Sequence, residues 1–203
     1  MKLYDGGRAP NPRRVRIFLA EKGVSVEIVP VDLGRLEHKG EAFSAVNPLQ
    51  RVPALVLDDG IVITESIAIC RYLEALHPEP PLFGTDPLSA ALVTMWERRV
   101  EFGLLSAIAA IFRHTHPAMA EMEVPQVPEW GVANRARVTE ALAFLDRRCG
   151  ETPFLAGETF SVADITALVA LDFLRLVKIP IPDELGALRD YHARLKSRPS
   201  AAA

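Results

Sequence analysis

The chain has 203 residues, 49% of them apolar and 24% charged, with a formal net charge of −3. That length suits one large domain or two small ones, and the acidic balance leaves no electrostatic footprint for nucleic acid. No apolar run is long enough to span a membrane, and the start, "MKLYDGG", lacks the apolar core of a secretory signal. Cys70 and Cys149 stand too far apart for a disulfide framework or a zinc spacing. The expectation is a cytoplasmic, reduced protein with no metal site, its cysteines packing as small hydrophobes.

The first 78 residues alternate between strand and helix signals. "KLYD" reads as a short strand. "NPRRVRIFLAEKG" follows as a helix, with Pro12 in its first turn, where a missing N–H costs little. Val15, Phe18, Leu19 and Lys22 keep helical spacing, with the stem of Lys22 at the edge, and Gly23 stops the helix. "VSVEIVPVDL" reads as a strand and "HKGEAFSAVNP" as a short helix or loop. "VPALVLDDGIVIT" is two apolar runs around Asp59-Gly60, a hairpin signal. "ESIAICRYLEALHP" places Ile69, Tyr72, Leu73 and Leu76 on one helical face. The order is βαβαββα.

"PEPPLFGTDP" is proline-rich and reads as a linker. Beyond it no strand pattern is convincing. "LSAALVTMWERRVEFGLLSAIAAIFRHTH" is one long helical stretch, and "PAMAEMEVPQVPEWG" interrupts it. "VANRARVTEALAFLDRRCG" is a helix stopped at Gly150, and "SVADITALVALDFLRLV" and "PDELGALRDYHARLKS" are two more. An α/β domain is thus followed by an all-helical one. The boundaries are a first domain over 1–78, a linker over 79–86 and a helical domain over 87–203. In "SVAD", Ser161 can cap its helix while Asp164 reaches back to the cap, with Phe160 and Ile165 placed as a hydrophobic staple. That pair reads as structural, the alternative being that Asp164 is a catalytic carboxylate.

Three features could hold a small peptide-like anion. The turn "GGRAPNP" lies at the carboxyl end of the first strand, and the helix behind it offers free N–H groups and a positive dipole end. In "RVPAL", a cis Val52-Pro53 bond would leave the Val52 backbone free to pair with an extended peptide. In "TESIA", Glu65 and Ser66 open a helix whose N–H groups can hold a carboxylate. None of the three does chemistry alone.

These residues, with "APNPRRVRIFLAEKG", "NPLQRVPALVLDDG", "ITESIAICRYLEALHP", "FLAGETFSVADI" and the late "RLKSRPS", make the chain resemble a cytosolic glutathione transferase over essentially its full length. The resemblance implies a thioredoxin-like glutathione-binding domain followed by an all-α domain carrying an electrophile pocket. It implies glutathione as co-substrate, a small hydrophobic electrophile as second substrate and a homodimer, with "ERRVE" facing the partner subunit. It further implies that Val52 pairs through its backbone with the cysteinyl part of glutathione, with Pro53 cis. Glu65 and Ser66 would hold the γ-glutamyl end. Lys39 would reach the glycine carboxylate, a task Arg51 or His38 could share. The other reading of Lys39 and Arg51 is solvated surface charge.

One departure matters. Relatives with Ser-Pro or Cys-Pro in the first turn carry their hydroxyl or thiol where this chain has Ala9. Tyr4 precedes the turn by several residues and reads as strand packing. The chain therefore resembles an atypical branch that lacks the usual serine, tyrosine or cysteine and activates glutathione through other donors. A thiol of pKa about 8.5 needs such a donor at neutral pH. The helix N-terminus, a backbone N–H of residues 10–13, a held water or the Asn11 amide could supply it, with Arg13 and Arg14 adding positive potential if they point inward. Asn11 is the chosen candidate, its structural alternative being a helix cap before Pro12. In "FRHTHPAM", His114, and less so His116 or Arg113, could position a water or leaving group. The structural alternative is charge complementing a helix C-terminus. Trp96, Phe102, Phe112 and Trp130 are pocket or core.

The leading function is conjugation of the glutathione thiolate to a hydrophobic electrophile, as in detoxification. A glutathione-dependent isomerase or dehalogenase is an alternative, weakened for the isomerase because Ala9, Pro10 and Asn11 replace a Ser-Ser-Cys turn. A non-catalytic glutathione-binding or regulatory protein is another, favoured by Ala9 and opposed by Val52-Pro53 and Glu65-Ser66.

Overall fold

The computed structural model describes every residue, Met1–Ala203. The chain divides into two compact units, Met1–Pro81 with Ala202–Ala203, and Leu82–Ala201.

In the first unit, β1 (Lys2–Asp5), α1 (Pro10–Lys22), β2 (Glu27–Pro30), α2 (Glu41–Val46), β3 (Ala54–Val56), β4 (Val62–Thr64) and α3 (Ser66–Leu76) follow in order. The sheet order is β2-β1-β3-β4. β1 and β2 run parallel, because a helix connects them, while β3 is antiparallel to both β1 and β4. Leu3 pairs with Leu55 across β1 and β3, and both are fully buried. Val15, Ile17, Phe18, Ile69 and Cys70, from α1 and α3, join them in the core. The mixed sheet with its helices is the thioredoxin-like arrangement the sequence implied.

Gly23 ends α1 in the left-handed conformation (φ 64), as the sequence suggested. Lys22 departs from the expectation. Its stem is not at an edge: the side chain is fully covered, with Nζ 2.5 Å from Glu74 Oε2 and donating to the carbonyl of Pro80 at 2.5 Å. A buried ammonium is tolerated because it is paired on both sides.

The second unit is all helical: α4 (Pro87–Val100), α5 (Ser106–Thr115), α6 (Pro128–Glu151), α7 (Val162–Phe173) and α8 (Gly186–Lys196). The long stretch through residue 116 is not one uniform helix. A π-helical turn, Glu101–Leu105, separates α4 from α5. α6 starts earlier than read, because Pro128 takes the first-turn position where its missing N–H costs nothing. It also passes Gly150 and ends at Glu151, since one glycine weakens but does not stop a well-packed helix. α7 is buried at every position but Asp172. At its start Asp164 accepts from the Ser161 N–H and Oγ–H, from the Leu155 N–H and from the Tyr191 hydroxyl, all at 2.6–2.9 Å. The Ser161–Asp164 capping box is therefore real and is extended to α8 through Tyr191. No helix is long and apolar enough to cross a membrane.

Candidate functional site: the carboxyl end of the first strand

The turn after β1 is braced by Asp5, which is 3% exposed. Its Oδ1 accepts the Gly7 N–H at 2.5 Å, and its Oδ2 takes the Arg16 guanidinium at 2.5 Å. Ala9 then precedes α1 in an extended conformation and offers only a methyl group. The helix begins at Pro10, so Asn11 is not a cap. It lies inside the first turn and is exposed. The reason is steric: Pro10 holds the helical φ from the first position.

This places donors sparsely. Pro10 and Pro12 carry no N–H, and the Arg13 N–H is used on the Ala9 carbonyl at 3.3 Å. Within the first turn of α1, Asn11 is left with both a backbone N–H and a side-chain amide to offer. Of the two following arginines, Arg14 points inward, 1% exposed, while Arg13 is half-buried and donates to the Ala203 carbonyl at 3.4 Å.

The second turn meets the first. The Val52–Pro53 bond is cis, as the sequence suggested, and no backbone hydrogen bond engages Val52. A Cβ placed on Gly6 would stand 2.7 Å from Val52 Cγ2 and 2.9 Å from Leu33 Cδ1. A Cβ at residue 6 would force these two side-chain methyl groups to shift, so glycine lets the turns meet without rearrangement. Asn47, 2% exposed, sets the approach: its Nδ2 donates to the Arg51 carbonyl at 2.7 Å and its Oδ1 accepts the Leu49 N–H at 3.1 Å. Gln50, at φ 54, donates to Ser44 Oγ at 2.9 Å.

The third feature is the start of α3. Glu65 precedes it at φ 66, a left-handed value rare for a residue with a Cβ, and its side chain is exposed. Ser66 is 5% exposed, and its Oγ accepts from Arg14 Nε at 3.2 Å. The accepting role leaves the Ser66 hydroxyl proton free for a ligand. A buried guanidinium behind it adds positive potential.

His38 lies near the charges of Lys39 and Arg51. Lys39 and Arg51 are exposed, while His38 is 6% exposed with an unpartnered Nδ1. Burial, then the charges of Lys39 and Arg51, hold the His38 pKa below its ordinary value. Tyr4 packs edge-on against Phe43 at 5.9 Å, as strand packing predicts.

Sequence reasoning missed Gly6, Asp5, Asn47 and Gln50. Arg14 and His38 are candidates in the sequence, but their contacts depend on the fold. Gly6 follows directly on the strand and precedes another glycine, which is a signal of close backbone approach.

In the helical unit, His114 and His116 close α5. His114 Nδ1 accepts the Val127 N–H at 3.1 Å, and its Nε2 stands 4.0 Å from Glu123 Oε1. His116 Nδ1 accepts the Ala118 N–H at 3.2 Å, and its ring lies on Phe112 at 4.7 Å. An accepting Nδ1 puts the ring proton of the neutral form on Nε2. Arg113 pairs with Glu123 at 3.0 Å. Trp96 is core, while Phe102 and Trp130 are about half exposed. Phe102, Arg98, Arg99, Arg137 and Phe144 line an open groove of about 620 Å³ between α4 and α6.

Residues 1–75 match the family described as glutathione S-transferase, N-terminal domain, and residues 105–194 match glutathione S-transferase, C-terminal domain. The chain belongs to the glutathione S-transferase family. Glutathione S-transferase 2 of Saccharomyces cerevisiae is 40% identical over 203 residues, covering 98% of this chain and 87% of that protein. The crystal structure of Gtt2 from Saccharomyces cerevisiae superposes with a TM-score of 0.95 at 40% identity, covering 100% of this chain and 99% of that one. A maleylacetoacetate isomerase of Pseudomonas aeruginosa is 46% identical over 93 residues, covering 45% of this chain and 44% of that protein. Relatives of both names exist, but the match along the whole chain is to a transferase. The chain is a glutathione transferase, with glutathione as its co-substrate.

Proposed function

We propose that glutathione lies along the carboxyl edge of the sheet, with its sulfur at the first turn of α1, and that the thiolate attacks a small hydrophobic electrophile. The observation that carries this reading is the contact of Gly6 with Val52. It puts a free backbone edge beside a helix N-terminus, and a peptide thiol needs both. Val52 pairs with the cysteinyl backbone. Ser66, with the unpaired N–H groups that open α3, holds the γ-glutamyl carboxylate beside Glu65. Lys39 and Arg51, with His38, take the glycine carboxylate.

Asn11 stabilises the thiolate. Moving a thiol pKa from about 8.5 to about 6.5 requires roughly 2.7 kcal/mol of differential stabilisation. A hydrogen bond to a charged group supplies about 1.5–3 kcal/mol, so the Asn11 N–H and amide together suffice without a hydroxyl at residue 9. The proton leaves to solvent, the sulfur lone pair forms the C–S bond, and the leaving group departs with its electron pair or the charge is quenched by protonation. His114 is in this reading a proton donor through Nε2–H rather than a base, because Nδ1 is already occupied.

The division of labour is a glutathione-binding domain over 1–78, a linker over 79–86 and an electrophile-binding helical domain over 87–203. The protein acts in the cytoplasm in detoxification. It works as a homodimer whose contact includes the exposed Arg98 and Arg99 of "ERRVE"; Glu97 is buried and takes no part.

Ser66→Ala tests the glutathione subsite. Calorimetric titration is expected to show glutathione binding weakened about tenfold, the loss of one charge-assisted hydrogen bond. Unchanged binding would remove Ser66 from the site.

A further inference from the structure

The turn between β1 and α1 is held by an ion pair, Asp5 with Arg16. Asp5 ends β1, its backbone carbonyl accepting the Val31 N–H at 2.7 Å. Its carboxylate divides between two partners: Oδ1 accepts the Gly7 N–H and Oδ2 accepts from Arg16 Nη1, each at 2.5 Å. The Asp5 side chain is 4% exposed and that of Arg16 23%. Arg16 lies on α1, so the pair ties the end of the strand to the helix that follows it.

The residues between them are those of the proposed thiol site. The Gly6 carbonyl accepts the Ala9 N–H, and the Ala9 carbonyl accepts the Arg13 N–H, both at 3.3 Å. Hydrogen bonds thus lead stepwise from Asp5 to the first turn of α1, where Asn11 stands, and they hold Gly6 at its approach to Val52. Gly7 needs an acceptor, yet a buried carboxylate is a poor one beside a place that must hold an anion, because like charges with little water between them disfavour each other. Arg16 resolves that conflict: the turn keeps its acceptor and carries no net charge. The other two arginines of this stretch are engaged elsewhere, Arg13 on the Ala203 carbonyl and Arg14 on Ser66 Oγ.

We propose that Asp5 and Arg16 are a positioning pair for thiol activation, in which Asp5 shapes the turn and Arg16 cancels the charge that would otherwise oppose the thiolate. This rests on the reading that the glutathione sulfur sits at the first turn of α1. The structural alternative is a pair that only joins β1 to α1. Breaking such a pair costs stability whichever member is changed. Only a pair whose field reaches the sulfur gives the two single substitutions opposite effects on it.

Ultraviolet thiolate absorbance of glutathione bound at saturation, followed across pH, separates the two, with the Tm of each variant measured alongside. Arg16→Gln leaves a lone carboxylate and is expected to raise the bound thiol pKa by about half a unit to one unit. Asp5→Asn keeps an acceptor for Gly7, leaves a lone guanidinium and is expected to lower it by a similar amount. Asp5→Asn combined with Arg16→Gln is expected to return to the wild-type value, and so is Arg16→Lys, which keeps the charge and loses the guanidinium geometry. Should one single variant not fold, the direction of the other still decides. A thiol pKa raised or unchanged by Asp5→Asn, or lowered or unchanged by Arg16→Gln, overturns the proposal and leaves the glutathione reading standing. An unshifted thiol pKa in the wild type overturns that reading and the proposal with it.

Discussion

Asn11 stands between two prolines, and that neighbourhood fixes what the first turn can donate. Where a serine or cysteine would do the work with one side chain, this turn has one backbone N–H and one amide on the same residue. Buried ionisable groups elsewhere are structural. Burial, with the Asp164 carboxylate next in weight, pushes the Cys149 thiol up from 9.0 to about 12. The thiol is thus neutral and inert at physiological pH. The folded-state pKa exceeds the unfolded one, so the stability linked to this group is intact below pH 9. It is lost as pH rises through 9 towards 12, and the raised Tyr191 acts in the same direction. Urea unfolding at stepped pH is expected to show a falling midpoint above pH 9. A flat profile would mean that neither group is held protonated by the fold.

At the scale of elements, the two turns of the proposed site meet at Gly6. Gly6→Ala drives a Cβ into Val52 and Leu33, an overpacking worth about 1–3 kcal/mol. The expected outcome is a lower unfolding midpoint with a raised KM for glutathione, since Val52 must move. A stability loss with KM unchanged would separate Val52 from glutathione. The strand and helix order was legible because periods of 2 and 3.6 residues, Asp59-Gly60 and Gly23 are local signals. The Ser161–Asp164 cap was legible for the same reason. The π turn at Glu101–Leu105 was not, since it changes hydrogen-bond register without changing the apolar pattern. Nor was the buried Lys22, whose partners Glu74 and Pro80 are distant in sequence. In the proposed site, the candidates Val52-Pro53 and Glu65-Ser66 come from motifs. The Arg14–Ser66 bond and the Gly6–Val52 approach required the fold, because each joins segments separated by some forty or more residues.

At the scale of the molecule, the first unit supplies the proposed glutathione site and the second presents an arginine-rich, aromatic groove that Glu140 also lines. Arg98 lies over Phe102 at 3.8 Å, and Phe102 remains 54% exposed. Aromatic and arginine side chains of this kind anchor interfaces. Sedimentation velocity at micromolar concentration is expected to give twice the chain mass of 22.3 kDa; a single-chain mass would refute the dimer.

The central claim is that this turn activates a thiol with no hydroxyl or thiol of its own. The measurement that tests it most directly is the ultraviolet thiolate absorbance of bound glutathione across pH, for the wild type and Asn11→Ala. A bound thiol pKa well below about 8.5, raised by about one unit in the variant as a donor is lost, is the predicted result. Tight binding with an unshifted pKa would contradict it and make the protein a glutathione binder without thiol activation. A lowered pKa that survives Asn11→Ala would assign the activation to another donor.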